Sequence, residues 1–169
     1  MIYLSIGSNL ISKFGNRFDN IQKSISLISK FATIDKISNF YETPSYPNRN
    51  LPKFINIALR ANSHLKPELF LKEIKLIEKK MGRIKKIKND SRVCDIDIID
   101  FKGIISDKRS LELPHPKSHK RNFVLYPLIE IAPNWFHPIL NKNIRFLIKK
   151  LSRSSHIEIT RVKENDINI

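Results

Sequence analysis

Arg92-Val93-Cys94-Asp95-Ile96-Asp97-Ile98-Ile99 alternates between apolar and polar residues from Cys94 onward, the period-two pattern of a half-buried strand. On such a strand Asp95 and Asp97 point to one face, while Cys94, Ile96 and Ile98 point to the other. Two carboxylates side by side repel, and each raises the pKa of the other unless a cation lies between them. Paired hard oxygens of this kind suit Mg2+, which is normally shared with substrate phosphates. The plain alternative is a strand whose wet face carries two acids by chance, and a bare D-x-D does not decide between the two.

Working outward, apolar periodicity lays out the elements before this strand. Ile2 to Ile6 reads as a strand ending at a Gly7-Ser8-Asn9 turn. Phe18, Ile21, Ile25 and Ile28 recur at helical spacing between Asn16 and Lys30. Ile34 to Tyr41 reads as one strand, followed by the proline-punctuated loop from Pro44 to Pro52. Phe54 to Ala61 alternates, with Ile55, Ile57 and Leu59 on one face and Phe54, Asn56 and Ala58 on the other. From Lys66 to Met81, Leu69, Phe70, Ile74, Ile77 and Met81 form a helical stripe that Gly82 closes.

A basic loop, Arg83 to Ser91, leads into the Asp95 strand, and Gly103 suggests a hairpin into Ile104-Ile105. Beyond it the pattern gives a loop around Pro114-His115-Pro116, an apolar segment from Phe123 to Ile131, a helix from Lys142 to Leu151 and a strand from Ile157 to Val162. The core order is strand, helix, strand, strand, helix, strand. That predicts an α+β fold, a ferredoxin-like βαββαβ sandwich with additional C-terminal helices and strands. One domain over 1–163 and a polar tail over 164–169 are expected.

Composition narrows the setting. Hydrophobic residues make up 41% of the 169 positions, enough to fold without staples. Cys94 is the single cysteine, so no intrachain disulfide forms, and its apolar-face position reads as core rather than nucleophile. The N-terminus lacks the pattern of a secretory signal, and no apolar stretch is long enough to span a membrane, so a cytoplasmic monomer is expected. Lys and Arg number 31 against 16 acids, a formal charge of +15, which points to phosphate-bearing partners or to drift in an AT-rich genome.

Neither G-x-x-x-x-G-K-[ST] nor G-x-G-x-x-G is present, so phosphates would have to be held by side chains and metal. Arg83, Lys85, Lys86, Lys88 and Arg92 precede the acidic pair, and His115, Lys117, His119, Lys120 and Arg121 follow it. Basic segments converging on Mg2+-type carboxylates supply the charge stabilisation that phosphoryl transfer needs. Phe54, Asn56 and Phe123 could form a slot for a flat heterocycle, although phenylalanines more often simply fill a core. The rival class is a basic ferredoxin-like RNA-binding module, but clustered strand aromatics of the R-G-F-G-F type are missing.

These residues resemble the 6-hydroxymethyl-7,8-dihydropterin pyrophosphokinase family. Lys88 to Ile99 resembles its signature, with Asp90 where Gly or Ala is usual. Ile6-Gly7-Ser8-Asn9-Leu10, Tyr41-Glu42-Thr43-Pro44, Phe54-Ile55-Asn56, Glu78 with Met81-Gly82-Arg83, Pro114-His115, Arg121-Asn122-Phe123 and Pro127 to Pro133 continue the resemblance in order. It implies transfer of pyrophosphate from ATP to the pterin hydroxymethyl group in folate biosynthesis, with two Mg2+ ions held by Asp95 and Asp97. It implies that Arg83 and Arg92 steer the phosphates, that His115 and Arg121 contact them, and that Ile98 helps line the adenine pocket. Phe54 and Phe123 would sandwich the pterin, with Thr43, Pro44, Asn56 and Asp95 around its edges. Phe54 replaces a usual Tyr, Asn89 a frequent Trp, and lysines fill a loop that is shorter than the family's. The implied partners are ATP and a pterin, without nucleic acid or membrane.

Overall fold

β4, Phe54–Asn62, is the longest strand and organises the sheet, pairing with three others. The structure is a computed structural model describing residues 1–82 and 91–163. The expectations for Arg83, Lys85, Lys86, Lys88, Asn89, Asp90 and the tail 164–169 lie outside the described residues. Along one edge of β4 runs β1, Ile2–Ser8, which pairs on its other side with β5, Asp95–Phe101. Along the other edge lie β2, Thr33–Ile37, and β3, Phe40–Thr43, and all these pairings are antiparallel. With helices α1, Arg17–Ile28, and α2, Pro67–Lys80, this is the expected ferredoxin-like βαββαβ order.

The expected single strand from Ile34 to Tyr41 is two strands. The register slips between Ile34 and Lys36, and at Ser38 a side chain takes over from the ladder. Ser38 Oγ accepts the Ala58 N–H at 2.9 Å, while the Ser38 N–H donates to the Ala58 carbonyl at 2.9 Å. A serine that satisfies the neighbouring strand by its hydroxyl lets the backbone turn without orphaning a buried donor.

Helix α1 starts on a capping box, with Asn16 Oδ1 accepting the Phe18 and Asp19 N–H groups and Asp19 reaching back to the Asn16 N–H. In α2 the buried stripe is Phe70, Ile74, Ile77 and Met81; Leu69, expected in it, is 52% exposed. Both helices pack on one sheet face, against Ile2, Leu4, Ile6, Ile55, Ile57, Leu59, Ile96 and Ile98. Burying each such side chain contributes roughly 1.5–3 kcal/mol. Cys94 lies in this core, with its Sγ 3.0 Å from Ser24 Oγ.

The opposite face carries α3, Asn122–Ile131, and α4, Ile144–Lys149, over Ala58 and Ile99. A bulge makes this possible: Leu4 pairs with Ile98 and Tyr3 with Asp100, so Ile99 is an extra residue in β5. Ile99 packs under α3 while its neighbour Ile98 packs under the other helices.

Two further expectations are corrected. After Gly103, at φ 74°, the chain leaves the sheet; β6, Ser106–Lys108, pairs with β7, Leu111–Leu113, and Ile104 and Ile105 stay exposed. The strand expected from Ile157 begins later. Ser152 accepts the Ser155 N–H at 3.2 Å and caps α5, Arg153–Ile157, so only Thr160–Val162, β8, reaches the sheet.

Ser38→Ala is expected to cost about 1–3 kcal/mol, because it strands the buried Ala58 N–H. Urea unfolding of this variant beside Ser26→Ala, at an exposed position of α1, checks it; equal stability of the two would contradict the role given to the Ser38 hydroxyl.

Candidate active site

Gly7 pairs with Asn56 on β4 and with Asp95 on β5, and Ser5 pairs with Asp97. Directly opposed residues share a face, so Asn56, Gly7, Asp95 and Asp97 lie side by side across three strands. Thr43 and Phe54, paired on β3 and β4, extend the same face. Gly7 is therefore not a turn glycine, as its sequence context suggested, but a strand residue whose missing side chain matters. A Cβ there would stand 2.9 Å from Asn56 Oδ1 and 3.4 Å from Phe54 Cδ1. Asn56, buried, donates from Nδ2 to Thr43 Oγ1 at 3.0 Å, which fixes its amide beside the gap.

Phe123 enters from the first turn of α3, with the Arg121 guanidinium 5.3 Å from its ring centroid. It is joined to the floor through the cations rather than by stacking on Phe54; the two rings make no ring contact among the described residues. Pro44 follows Thr43 directly and is half-buried.

Three cationic or polar groups converge on the carboxylates. Arg92 Nη1 meets Asp95 Oδ2 at 2.5 Å. Arg121 Nη1 lies 3.3 Å from Asp97 Oδ2, and His115 Nε2 lies 3.5 Å from the same oxygen. The bulged β5 positions this histidine, since the Ile99 carbonyl accepts the His115 N–H at 3.0 Å. Its Nδ1 accepts the Lys117 N–H at 3.1 Å, while its Nε2 faces Asp97 and also lies 3.4 Å from Arg121 Nη1. Burial pushes the His115 pKa down, Asp97 pulls it up and Arg121 pushes it down again, with the net effect downward. His115 is thus neutral at neutral pH.

Sequence reading placed Arg92, Asp95, Asp97, His115, Arg121, Thr43, Phe54, Asn56 and Phe123 together, and the fold does gather them. Ile98 is different: its side chain is 6% exposed in the core under α1 and α2, on the face opposite the carboxylates. Arg83 lies outside the described residues.

Two residues carry more than their sequence context showed. Asn9 was legible only as a turn former, yet its Nδ2 lies within hydrogen-bond distance of Ser45 Oγ, the Pro52 carbonyl and Ser91 Oγ, at 3.3, 3.0 and 3.2 Å. Its Oδ1 accepts the Arg92 N–H at 2.6 Å, so one buried amide laces the 44–52 loop to the segment bearing Arg92. Glu78, buried on α2, accepts the Ile96 N–H at 3.0 Å and pins the start of β5 between the two aspartates. Family resemblance marked Glu78; nothing in local periodicity does.

Among the described residues no group of three or more His, Cys, Asp or Glu side chains is placed to hold a metal. Asp95 and Asp97 alone would leave most coordination positions to a ligand's oxygens and water, the habit of Mg2+. A cavity of about 520 Å3 lined by Lys30, Thr33, Asn62 and His64 lies at the far end of β4, away from the carboxylates. None of the described helices is long and apolar enough to cross a membrane.

Residues 3–133 match the 7,8-dihydro-6-hydroxymethylpterin-pyrophosphokinase (HPPK) family. The chain is 39% identical over 144 residues to the 2-amino-4-hydroxy-6-hydroxymethyldihydropteridine pyrophosphokinase of Aquifex aeolicus, covering 85% of this chain and 88% of that one. It is 43% identical over 141 residues to the Folic acid synthesis protein FOL1 of Dictyostelium discoideum, covering 83% of this chain and only 21% of that much longer protein. A solved Plasmodium falciparum HPPK-DHPS triple mutant with pteroate superimposes with a TM-score of 0.72 at 17% identity, over 95% of this chain and 46% of that one. At that identity the likeness speaks for the fold.

His115, His119 and His137 all have pKa values held below the ordinary 6.5, in each case chiefly by burial. Below about pH 6.5 the unfolded chain therefore binds more protons than the folded one, and stability falls as pH falls. Calorimetric melting should show a lower midpoint at about pH 5.5 than at about pH 7.5; an equal or higher midpoint in acid would contradict the buried, neutral histidines.

Proposed function

Because the chain belongs to the 7,8-dihydro-6-hydroxymethylpterin-pyrophosphokinase family, we propose that it transfers the β- and γ-phosphates of ATP together to 6-hydroxymethyl-7,8-dihydropterin. The products are AMP and the pterin diphosphate, and the place of the reaction is folate biosynthesis. The observation that carries this reading is the convergence of Arg92, His115 and Arg121 on Asp95 and Asp97, beside the floor that Gly7 opens next to Asn56.

Asp95 and Asp97 fit two Mg2+ ions shared with ATP, because they offer carboxylate oxygen and leave the remaining positions to phosphate. Bound there, Mg2+ would supply charge neutralisation and polarisation of the phosphoryl oxygens. The protein's own groups do the rest. Arg92 and Arg121 compensate the carboxylates in the resting site and are placed to turn their planar forks onto the arriving phosphates. Neutral His115 presents Nε2 between Asp97 and Arg121 without adding a cation that would compete with Mg2+ for the carboxylates.

The pterin enters the slot over Gly7, flanked by Phe54 and Phe123, with the Asn56 amide, Thr43 and Asp95 at its polar edges and Pro44 at the rim. Its hydroxymethyl oxygen approaches the β-phosphorus in line from the Asp97 side; a new O–P bond forms as the hydroxyl proton is released to water, the bond from the β-phosphorus to the α–β bridging oxygen breaks, and AMP leaves with that oxygen. On the resemblance alone, Arg83 would act on the phosphates; the Ile98 side chain is core, which speaks against its lining the adenine pocket. Asn9 ties the pterin-side loop to the Arg92 segment, so the two substrates are sensed by connected parts of the chain.

Residues 1–163 are read as one domain acting as a cytoplasmic monomer, with 164–169 as a polar tail. The RNA-binding alternative is disfavoured, because such modules leave a sheet face open for bases and α3 and α4 are packed on this one.

Pterin-dependent AMP formation tests the reading. Asp97→Ala should lower kcat by about 10^2–10^3-fold while pterin affinity by calorimetry stays near that of the parent; an unchanged kcat would remove Asp97 from the reaction. Gly7→Ala, whose new Cβ crowds Asn56 Oδ1, should weaken pterin binding by about tenfold or more, with a smaller effect on ATP. Equal losses for both substrates would contradict the floor role of Gly7.

A further inference from the structure

The turn that carries the site's cations rests on a pair of histidines that the proposed reaction does not use. His115 and Arg121 bracket a 3-10 turn, Ser118–Lys120, closed by hydrogen bonds from the Ser118 N–H to the His115 carbonyl at 3.0 Å and from the Arg121 N–H to the Ser118 carbonyl at 3.3 Å. At its centre, the His119 ring meets the His137 ring edge to face, with centroids 5.4 Å apart and planes at 87°. His137 is 3% exposed and belongs to the turn between α3 and α4. Its Nδ1 accepts the Ile139 and Leu140 N–H groups at 3.3 and 3.2 Å, so its proton sits on Nε2.

That Nε2 has no hydrogen-bond partner. Neither has His119 Nδ1, nor Ser118 Oγ beside it, and these are the three buried side-chain polar atoms without one among the described residues. The arrangement is not suited to a metal, because the lone pair of His137 Nδ1 is already engaged and Nε2 carries hydrogen. It is suited to two uncharged rings in contact.

We infer that His119 and His137 are positioning residues: while both are neutral their contact holds the Ser118–Lys120 turn, and with it His115 and Arg121, in place at Asp97. The inference rests on the proposed ATP-dependent reaction for its consequence, but not for its structural part. A proton on either ring places a cation against the other imidazole in a site with little to stabilise it. The charged and titratable groups around the pair are few. Asp100 on β5 is turned to Trp135, whose Nε1–H it accepts at 2.8 Å, and to the Gly103 N–H at 2.8 Å. Lys120, on the same turn as His119, adds positive charge. α3 and α4, whose buried residues include Leu128, Ile144 and Leu147, pack against the turn. Burial holds both histidines below their ordinary pKa, helped by Lys120 at His119 and by His119 at His137, while Asp100 pulls the other way at His137. Acid therefore loosens the turn, and the grip on phosphate should weaken with it.

Trp135 is the single tryptophan of the chain and lies against His137, with ring centroids 5.7 Å apart. A protonated imidazole quenches indole emission on contact, so fluorescence reads the state of His137 directly. The experiment titrates Trp135 emission and, in parallel, the calorimetric Kd for Mg·ATP from about pH 7.5 to pH 5. The parent protein should show quenching with a midpoint below 6.5, and over the same range Kd should rise by about fivefold or more, the low end of coupling between two sites. His137→Asn keeps an acceptor for the Ile139 and Leu140 N–H groups but does not titrate. In it the quenching should vanish, and the Kd profile relative to the parent should flatten, which removes the nucleotide's own protonation from the comparison.

If His137→Asn does not fold, His119→Phe keeps a ring in contact while removing one charge; the quenching midpoint should move up and the acid limb of Kd should move with it. Absence of quenching in the parent, or an acid rise in Kd unchanged in a variant whose quenching is lost or shifted, would overturn the inference. Absence of pterin-dependent AMP with both titrations intact would instead count against the proposed reaction alone.

Discussion

Asp95 and Asp97 stand on one face of β5, about 7 Å apart along the strand. At an effective dielectric of about 20 two such charges repel by roughly 2 kcal/mol, and the strand cannot separate them. Much around them answers that repulsion. Arg92, just before β5, meets Asp95, and Arg121, at the far end of the 3-10 turn, meets Asp97. The bulge at Ile99 lets a carbonyl hold the His115 backbone in reach. Glu78 fixes the strand between the two acids from the opposite side. The carboxylates are thus held aligned by cations that a phosphate can recruit.

The same economy explains the neutral floor. Beside so much charge, the pterin-side surface is built from Asn56, Thr43, Phe54 and a glycine, with the amide fixed by the threonine hydroxyl. Charge lies on one side of β1 and a flat, polar-edged slot on the other. This separation lets one sheet face present phosphate chemistry and heterocycle recognition across four adjacent strands, β5, β1, β4 and β3.

Much of this was legible in the residues because periodicity is a local property. The faces of Ile55 and Ile57 against Asn56, and of Asp95 and Asp97 against Ile96 and Ile98, followed from alternation alone and hold. What escaped was decided by tertiary partners. Gly7 read as a turn because nothing nearby in sequence reveals Asn56 on one side and Asp95 on the other. Ser38 read as one more strand residue because its hydroxyl's partner is Ala58, twenty positions away. Asn9 joins two segments, the 44–52 loop and the stretch bearing Ser91 and Arg92, that meet only in the fold. The Ser152 cap is a local signal too, masked by the strand-like alternation from Ile157 to Val162. Leu69 matched the helical period but lies at the edge of the buried arc.

The most direct test follows the atoms. ATP labelled on both the β- and γ-phosphorus is incubated with Mg2+, 6-hydroxymethyl-7,8-dihydropterin and the protein, and the products are separated. The account predicts that both labels arrive together on the pterin, with unlabelled AMP released in equal amount. Labelled ADP beside a pterin monophosphate would contradict it, because the carboxylate and cation pairs would then be serving transfer to the γ-phosphorus rather than the β.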